Sequence, residues 1–440
     1  MSNSTDEMLM PPKAKRGRQS LNENENEDNK DRLSDLPDCI LLHILSFVKA
    51  KAAVQTCILS TRWKDLWKRL PSLILLSSNF WTYKSFTKFV SRLLTLRDGS
   101  TALHGLDFEH DGHIQPHLLK RIVKYAVSHN VQRLGLSVTC AIEHFPPSVF
   151  SCETLTSLKL AVQPKGSLSE RTLLPKSLNL PALTTLHLEH FAFCANDNDR
   201  RAEPFSSFKR LNSLIVGSCS LSDADILCIS NTSLCHLTVF NQFLDLYEYN
   251  IELSSPGLHS FAFTGTPYQL LSESSNLSSI EEVNIDVAIW YANLEKLSPL
   301  VLLIWLAYLA NIKSLTVSTS TLQVLCLHPK LLKLKFPLLG SLKSLKVIQK
   351  PLSRGFIEVL REVKLQKATT KSPKAAAAML PKASKEDSFS SIPDGIVDFL
   401  LQNSPSAKIS TSWCPYELCL VSGGFNSMGK SRDSCLVRLS

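Results

Sequence analysis

The chain has 440 residues, 44% of them apolar and 20% charged, with a formal charge of +9. That length and balance admit a sizeable core and exclude wholesale disorder, a fibrous repeat or a disulfide-stapled miniature fold. Twelve cysteines include no C-x-x-C pair, which fits reduced thiols, and the first residues lack the apolar run of a secretory leader.

Residues 1–30 read as a disordered tail. A basic cluster (Lys13, Lys15, Arg16, Arg18) follows Pro11 and Pro12 and precedes an acidic low-complexity run with little to bury. The cluster is open to two readings, a nuclear-import signal or a solubilising tail. From 31 to 75 the apolar positions fall into three short helical registers. Pro37 suits a first helical turn, because its missing N–H would have had no partner there. Ile40, Leu41, Ile44, Leu45 and Val48 then form an apolar stripe. A second helix is expected over Ala52–Ile58. A third is expected to present Trp63, Leu66, Trp67 and Leu70 before Pro71 stops it. A module of about 40 residues is near the lower limit for folding unaided, so a partner surface is expected.

Residues 76–100 read as a helical connector, with Phe86, Phe89, Val90, Leu93 and Leu94 on one face and Asp98-Gly99 ending it. From 101 to 363 an L-x-x-L-x-L-like unit recurs ten times. The best copies are Leu155-Leu158-Leu160, Leu183-Leu186-Leu188, Leu211-Leu214-Val216 and Leu234-Leu237-Val239. Weaker copies begin at Leu103, Val131, Leu258, Ile280, Ile312 and Leu342, and the steps between copies run from 22 to 32 residues. Such units cannot bury their leucines alone. Stacked, they share one core, with strands along one side and outer segments that are helical in some units and loops in others.

The apolar run Ser298–Ala310 is shorter than the roughly twenty residues that span a bilayer, so a buried helix is expected and no membrane partner. Lys330–Lys374 holds twelve Lys or Arg against Glu358 and Glu362. It reads as a solvated face plus a linker, or as a strip for an acidic or phosphate-bearing partner such as nucleic acid. Residues 364–391 have a linker composition. In 392–440, Pro393, Asp394, Ile396, Val397, Phe399, Leu400 and Leu401 fit a short amphipathic helix.

Phosphate-cradling loops and a nucleophile elbow are absent from the sequence. His110, His113 and His117 lie near Asp107 and Asp111, as metal ligands or, the preferred reading, as solvent-facing loop residues. Cys414 and Cys419 have no second ligand pair at zinc-site spacing. No catalytic residue, metal or cofactor is expected.

The module at 31–75 resembles an F-box of the plant type joined to leucine-rich repeats. The resemblance rests on Leu36-Pro37-Asp38, Ile40-Leu41, Ile44-Leu45-Ser46-Phe47, Val54-Gln55-Thr56, Leu59-Ser60-Thr61-Arg62-Trp63 and Leu66-Trp67. It implies an α/β repeat fold, a small three-helix F-box followed by a curved leucine-rich-repeat solenoid. It further implies a non-catalytic substrate-recognition subunit of an SCF-type ubiquitin ligase, nuclear and/or cytoplasmic. The F-box would bind a Skp-type adaptor and through it a cullin-RING ligase, while the repeats hold an unknown protein target. Carried over residue by residue, Leu36, Pro37, Ile40, Leu41, Ile44 and Leu45, with Val54, Leu59 and Trp63, are the adaptor-facing or supporting set. Trp67 is expected to serve only the module's interior. The family's usual proline after the first helix is missing in Val48-Lys49-Ala50, and Ala52 stands where an acid is common, so the resemblance implies reduced adaptor affinity. Ile392–Lys408 is similar to the lead into a C-terminal FBD region. The likeness fades past Ile409, which makes 392–440 a partial or altered FBD-like segment.

Overall fold

The computed structural model describes residues 33, 35–163, 171–195, 199–241, 249–267, 271, 277–288, 299–309, 311–327, 339–352, 356–358, 360–362 and 392–414. The expected N-terminal tail and the linker lie outside these.

A twelve-stranded, all-parallel sheet dominates, its strands following one another in chain order. They are β1 Ser72–Leu76, β2 Gly105–His113, β3 Arg133–Thr139, β4 Ser157–Gln163, β5 Thr185–Glu189 and β6 Ser213–Gly217. The series continues with β7 His236–Phe240, β8 Ser260–Gly265, β9 Glu282–Val287, β10 Ser314–Ser318, β11 Ser344–Gln349 and β12 Lys408–Trp413. Side chains alternate between the two faces of a strand, so register decides what is buried. Here one register runs through the ladder, with a single shift between β2 and β3 after Glu109. Leu73, Leu106, Leu134, Leu158, Leu186, Leu214, Leu237, Phe261, Val283, Leu315, Leu345 and Ile409 form one row. All ten copies of the repeat expected from the sequence land on strands of this ladder.

A backbone device recurs where β2 to β11 begin: one carbonyl of the preceding unit accepts two successive N–H groups of the next. Pro71 O accepts from His104 and Gly105 (2.7 and 3.2 Å), Thr156 O from Thr184 and Thr185 (2.8 and 3.0 Å), and Lys313 O from Lys343 and Ser344 (2.8 and 3.1 Å). The sheet therefore begins at Ser72, inside the stretch assigned to the helical module. Leu70-Leu73-Leu75 is a further copy of the unit that the sequence reading missed.

The return segments differ along the array. Helices α1 Asp38–Ser46 and α2 Ala50–Gln55 belong to the N-terminal module, and α3 Tyr83–Leu96 and α4 Pro116–Ser128 follow β1 and β2. Thr82 caps α3 by accepting from Ser85 N at 3.2 Å. Pro116 opens α4, and Asn130, at φ 56°, ends it in the left-handed region. Around β5–β8 the returns are neither the helices nor the loops expected of the outer segments. Their short strands form two three-stranded parallel ladders, one of 172–173, 191–194 and 220–222, the other of 201–202, 226–229 and 250–253. The reason is visible in the residues: Phe191-Ala192-Phe193 and Ile226-Leu227-Cys228-Ile229 are apolar runs that stack in register on their neighbours.

Helix α5, Pro299–Tyr308, is the one expected from the apolar run. Trp305 is buried against Phe261 and Phe263, whereas Leu300, Ile304 and Tyr308 face outward. Among the described residues no helix is long and apolar enough to cross a membrane. Helix α6, Thr319–Leu325, follows β10, and α7, Ile396–Leu401, precedes β12. Helix α7 starts three residues later than expected, because Pro393 and Asp394 lie before Gly395, whose φ of 72° precedes the first turn. It buries Ile396, Phe399, Leu400 and Leu401. Beyond the point where the family likeness fades, Lys408–Trp413 still joins the sheet as β12.

Candidate functional site

The N-terminal module folds around Leu41, Leu45, Ala50, Ala53, Trp63, Leu66, Trp67 and Leu70, all buried. The third segment is not the expected α-helix. Residues 61–65 form turns and Leu66–Arg69 a 3-10 turn, yet its four large side chains still reach the interior. A pin accounts for the shape. Asp38 at the start of α1 receives the guanidinium groups of Arg62 at 3.0 Å and Arg69 at 2.9 Å, and Arg62 also donates to the Leu36 carbonyl. Chain on both sides of Trp63 is thereby tied to the first helix. The hydrogen bond from Arg69, then that from Arg62, holds the Asp38 carboxyl below its usual range.

Of the residues the sequence picked out, Pro37, Ile40, Ile44 and Leu59 are exposed, while Leu36 and Val54 are partly buried. Leu41, Leu45 and Trp63 are internal, so they can act only as support. Two residues outside that set complete the outward apolar surface: Phe47 is 71% exposed and Ile58 84%. Six of the fourteen large apolar side chains exposed among the described residues lie between Leu33 and Leu59. Scattered exposed leucines need no explanation, but such concentration on one small module marks a contact surface. Sequence spacing could not find Phe47 and Ile58, because in so short a helical module both faces are apolar.

The module is also joined rigidly to the sheet. Arg97, at the end of α3, is only 5% exposed. Its guanidinium donates to the carbonyls of Leu70 (2.8 Å), Thr101 (2.9 Å) and Ala102 (3.0 Å) and to the Tyr125 hydroxyl (3.1 Å). One side chain thus fixes the module's end, the connector and the first repeats. Such multiple satisfaction is what a buried charge requires.

The solvent-facing side of the sheet is a second surface. Asp107, Lys159, His187 and Glu189 lie there on β2, β4 and β5. Glu189 is buried, with His187 Nε2 at 2.8 Å and Lys159 Nζ at 3.6 Å. Asp107 reaches over Gly135, where an added Cβ would lie 2.3 Å from its carboxyl oxygen. Crowding by the sheet strips water from that carboxyl and raises its pKa, an effect opposed by Arg133 and Lys159. The Phe240 ring covers Gly217 in the same way, and a Cβ there would lie 2.0 Å from it. Farther along, Ile215, Thr238 and Ala262 give an uncharged waist, and Lys343, Lys346 and Lys408 are exposed at the far end. Of the 330–374 strip, Lys343, Lys346, Lys350 and Arg361 lie within the described residues, whereas much of the strip does not.

The three histidines do not form one loop. His110 is buried on β2 between the rings of Tyr83 and Phe86, His113 bonds the Thr139 carbonyl, and His117 is exposed on α4. They separate because strand alternation sends His110 to the ladder side. Among the described residues no three His, Cys, Asp or Glu side chains are grouped so that they could hold a metal. Cys419 and the cluster Lys13, Lys15, Arg16 and Arg18 lie outside the described residues.

Residues 33–75 match the F-box domain family. A putative F-box/FBD/LRR-repeat protein of Arabidopsis thaliana is 31% identical over 245 residues, 54% of this chain and 54% of that protein. A putative FBD-associated F-box protein of the same plant is 27% identical over 264 residues, 58% of this chain and 54% of the relative. An F-box/FBD/LRR-repeat protein, again from Arabidopsis, is 26% identical over 340 residues, 72% of this chain and 71% of the relative. The chain spans about half the length of the first two relatives. The helical module thus matches an F-box, and the chain as a whole is similar to F-box/leucine-rich-repeat proteins of Arabidopsis.

Proposed function

We propose that the protein is the substrate-recognition subunit of an SCF-type ubiquitin ligase. Its F-box binds a Skp-type adaptor, and its repeats form a curved leucine-rich-repeat solenoid whose solvent-facing strands hold a protein target. The observation that carries this reading is the outward apolar surface of the F-box, with Pro37, Ile40, Ile44, Phe47, Ile58 and Leu59 exposed around a module whose interior is already filled. Apolar side chains kept in water on a preformed helical scaffold suit recognition dominated by a few buried anchors. The role is recruitment, with the transfer chemistry supplied by partners, in the nucleus and/or the cytoplasm.

The reading is tested by co-expressing the full chain with a plant Skp-type adaptor. Wild type is expected to co-elute with the adaptor. The double variant Ile40→Asp/Ile44→Asp should lose it while its circular dichroism is unchanged, because both side chains already face water. Undiminished co-elution of the variant would overturn the assignment.

A further inference from the structure

Trp81 is fully exposed, at 100%, and lies six residues beyond the stretch matched as an F-box. We propose that it is an additional anchor for the same Skp-type adaptor, supplied by the connector. This rests on the adaptor-binding reading above and extends it beyond the family motif.

The local structure holds this ring outward. Phe80 turns in, its centroid 5.3 Å from that of Phe86 and 5.0 Å from that of Phe89. Thr82 is committed to capping α3. With both chain neighbours fixed, Trp81 projects the other way and its backbone has little freedom to lose on binding. A preorganised aromatic residue of this kind is well suited to a binding hot spot.

Its place relative to the F-box is set by Lys51 on α2. That ammonium donates to the Asn79 carbonyl at 2.7 Å and lies 4.7 Å from the centre of the Phe80 ring. Trp81 therefore sits beside α2. Ile58 follows Lys51 by seven residues of nearly continuous helix, roughly 10–14 Å along its axis. That path puts Trp81 and Ile58 on the order of 20 Å apart, a span that one interface of about 800 Å² per partner, roughly 30 Å across, can cover. Ile58, Leu59 and Trp81 are then exposed apolar side chains within reach of one partner surface.

The test uses the full chain and a recombinant Skp-type adaptor, with affinity measured by calorimetry. Trp81→Ala is expected to weaken binding about tenfold or more, and Trp81→Phe, which keeps a ring, to stay within about threefold of wild type. Adaptor binding should shift the tryptophan emission of wild type to the blue, and this shift should shrink in Trp81→Phe, because Trp63, Trp67 and Trp305 are buried before the adaptor arrives and the exposed Trp413 lies on β12, at the opposite edge of the sheet from β1. Unchanged affinity of Trp81→Ala, in a chain whose Ile40→Asp/Ile44→Asp variant no longer binds, overturns the role of Trp81 alone. Failure of wild type to bind the adaptor overturns this inference together with the reading beneath it.

Discussion

The F-box and the repeat array spend the same kind of residue in opposite ways. In the array, the strand positions from Leu73 to Val347 that carry the ladder are buried, each layer closed by the next. In the F-box, Leu41, Leu45 and Trp63 fill a small interior, while Ile40, Ile44, Phe47, Ile58 and Leu59 are left in water. Apolar surface that a chain can cover by stacking supports its stability, and surface that it leaves uncovered is available to a partner. The difference can be broken by substitution.

The largest effect is expected inside the ladder. Leu186→Ala on β5 removes a buried side chain between Leu158 and Leu214 and should cost about 2–5 kcal/mol in chemical denaturation. The matched change Ile44→Ala should move stability by no more than about 0.5 kcal/mol, and its effect should appear in adaptor affinity instead. Comparable losses of stability in the two variants would erase the contrast. Arg97→Met comes next. It keeps much of the aliphatic stem but leaves the Leu70, Thr101 and Ala102 carbonyls without their charged donor, so a loss of about 2–4 kcal/mol is expected, given about 1.5–3 kcal/mol for a hydrogen bond to a charged group. Amide exchange should quicken first at residues 66–71 and 101–103, where module and sheet meet. Uniform exchange across the chain would argue against a local joint.

Much of the array was legible because its period is both simple and repeated: ten L-x-x-L-x-L-like copies predicted ten strands, and their register followed. The copy at Leu70-Leu73-Leu75 was hidden because Leu70 also completes the helical spacing of Trp63, Leu66 and Trp67. Pro71 also reads as a stop, although only its carbonyl is needed by the next unit. Strand β12 was hidden for another reason. Its Ile409 lies sixty-four residues past Leu345, its partner in the ladder, and the next position in register with the apolar row, opposite Val347, is the polar Thr411. In the F-box, spacing identified the helices but not which apolar side chains face out, since Leu41 and Ile40 are neighbours with opposite fates. The pin between Asp38 and Arg62 and Arg69 joins residues 24 and 31 positions apart, beyond any local pattern.

The smallest effect concerns the seam between connector and sheet, where an ionisable ring stands in for an apolar one. His110 occupies an inward position of β2, its centroid 4.9 Å from that of Tyr83 and 5.9 Å from that of Phe86. Burial lowers its pKa below 6.5, opposed by a hydrogen bond involving the His113 backbone and by Asp111, while His113 adds a further lowering push. In the unfolded chain the ring takes up a proton near its ordinary pKa, so below about pH 6.5 the unfolded state binds more protons than the folded one. Stability contributed here is therefore complete above that pH, is lost as the pH falls through it, and stops declining once the folded ring also protonates. Thermal unfolding followed from about pH 8 to about pH 5 should show this loss on top of the general acid response. His110→Phe keeps an aromatic ring between Tyr83 and Phe86 but cannot titrate, so its midpoint should fall less over the same range. Parallel slopes for the two proteins would mean that the proton is taken up elsewhere, and that the seam behaves like the rest of the ladder.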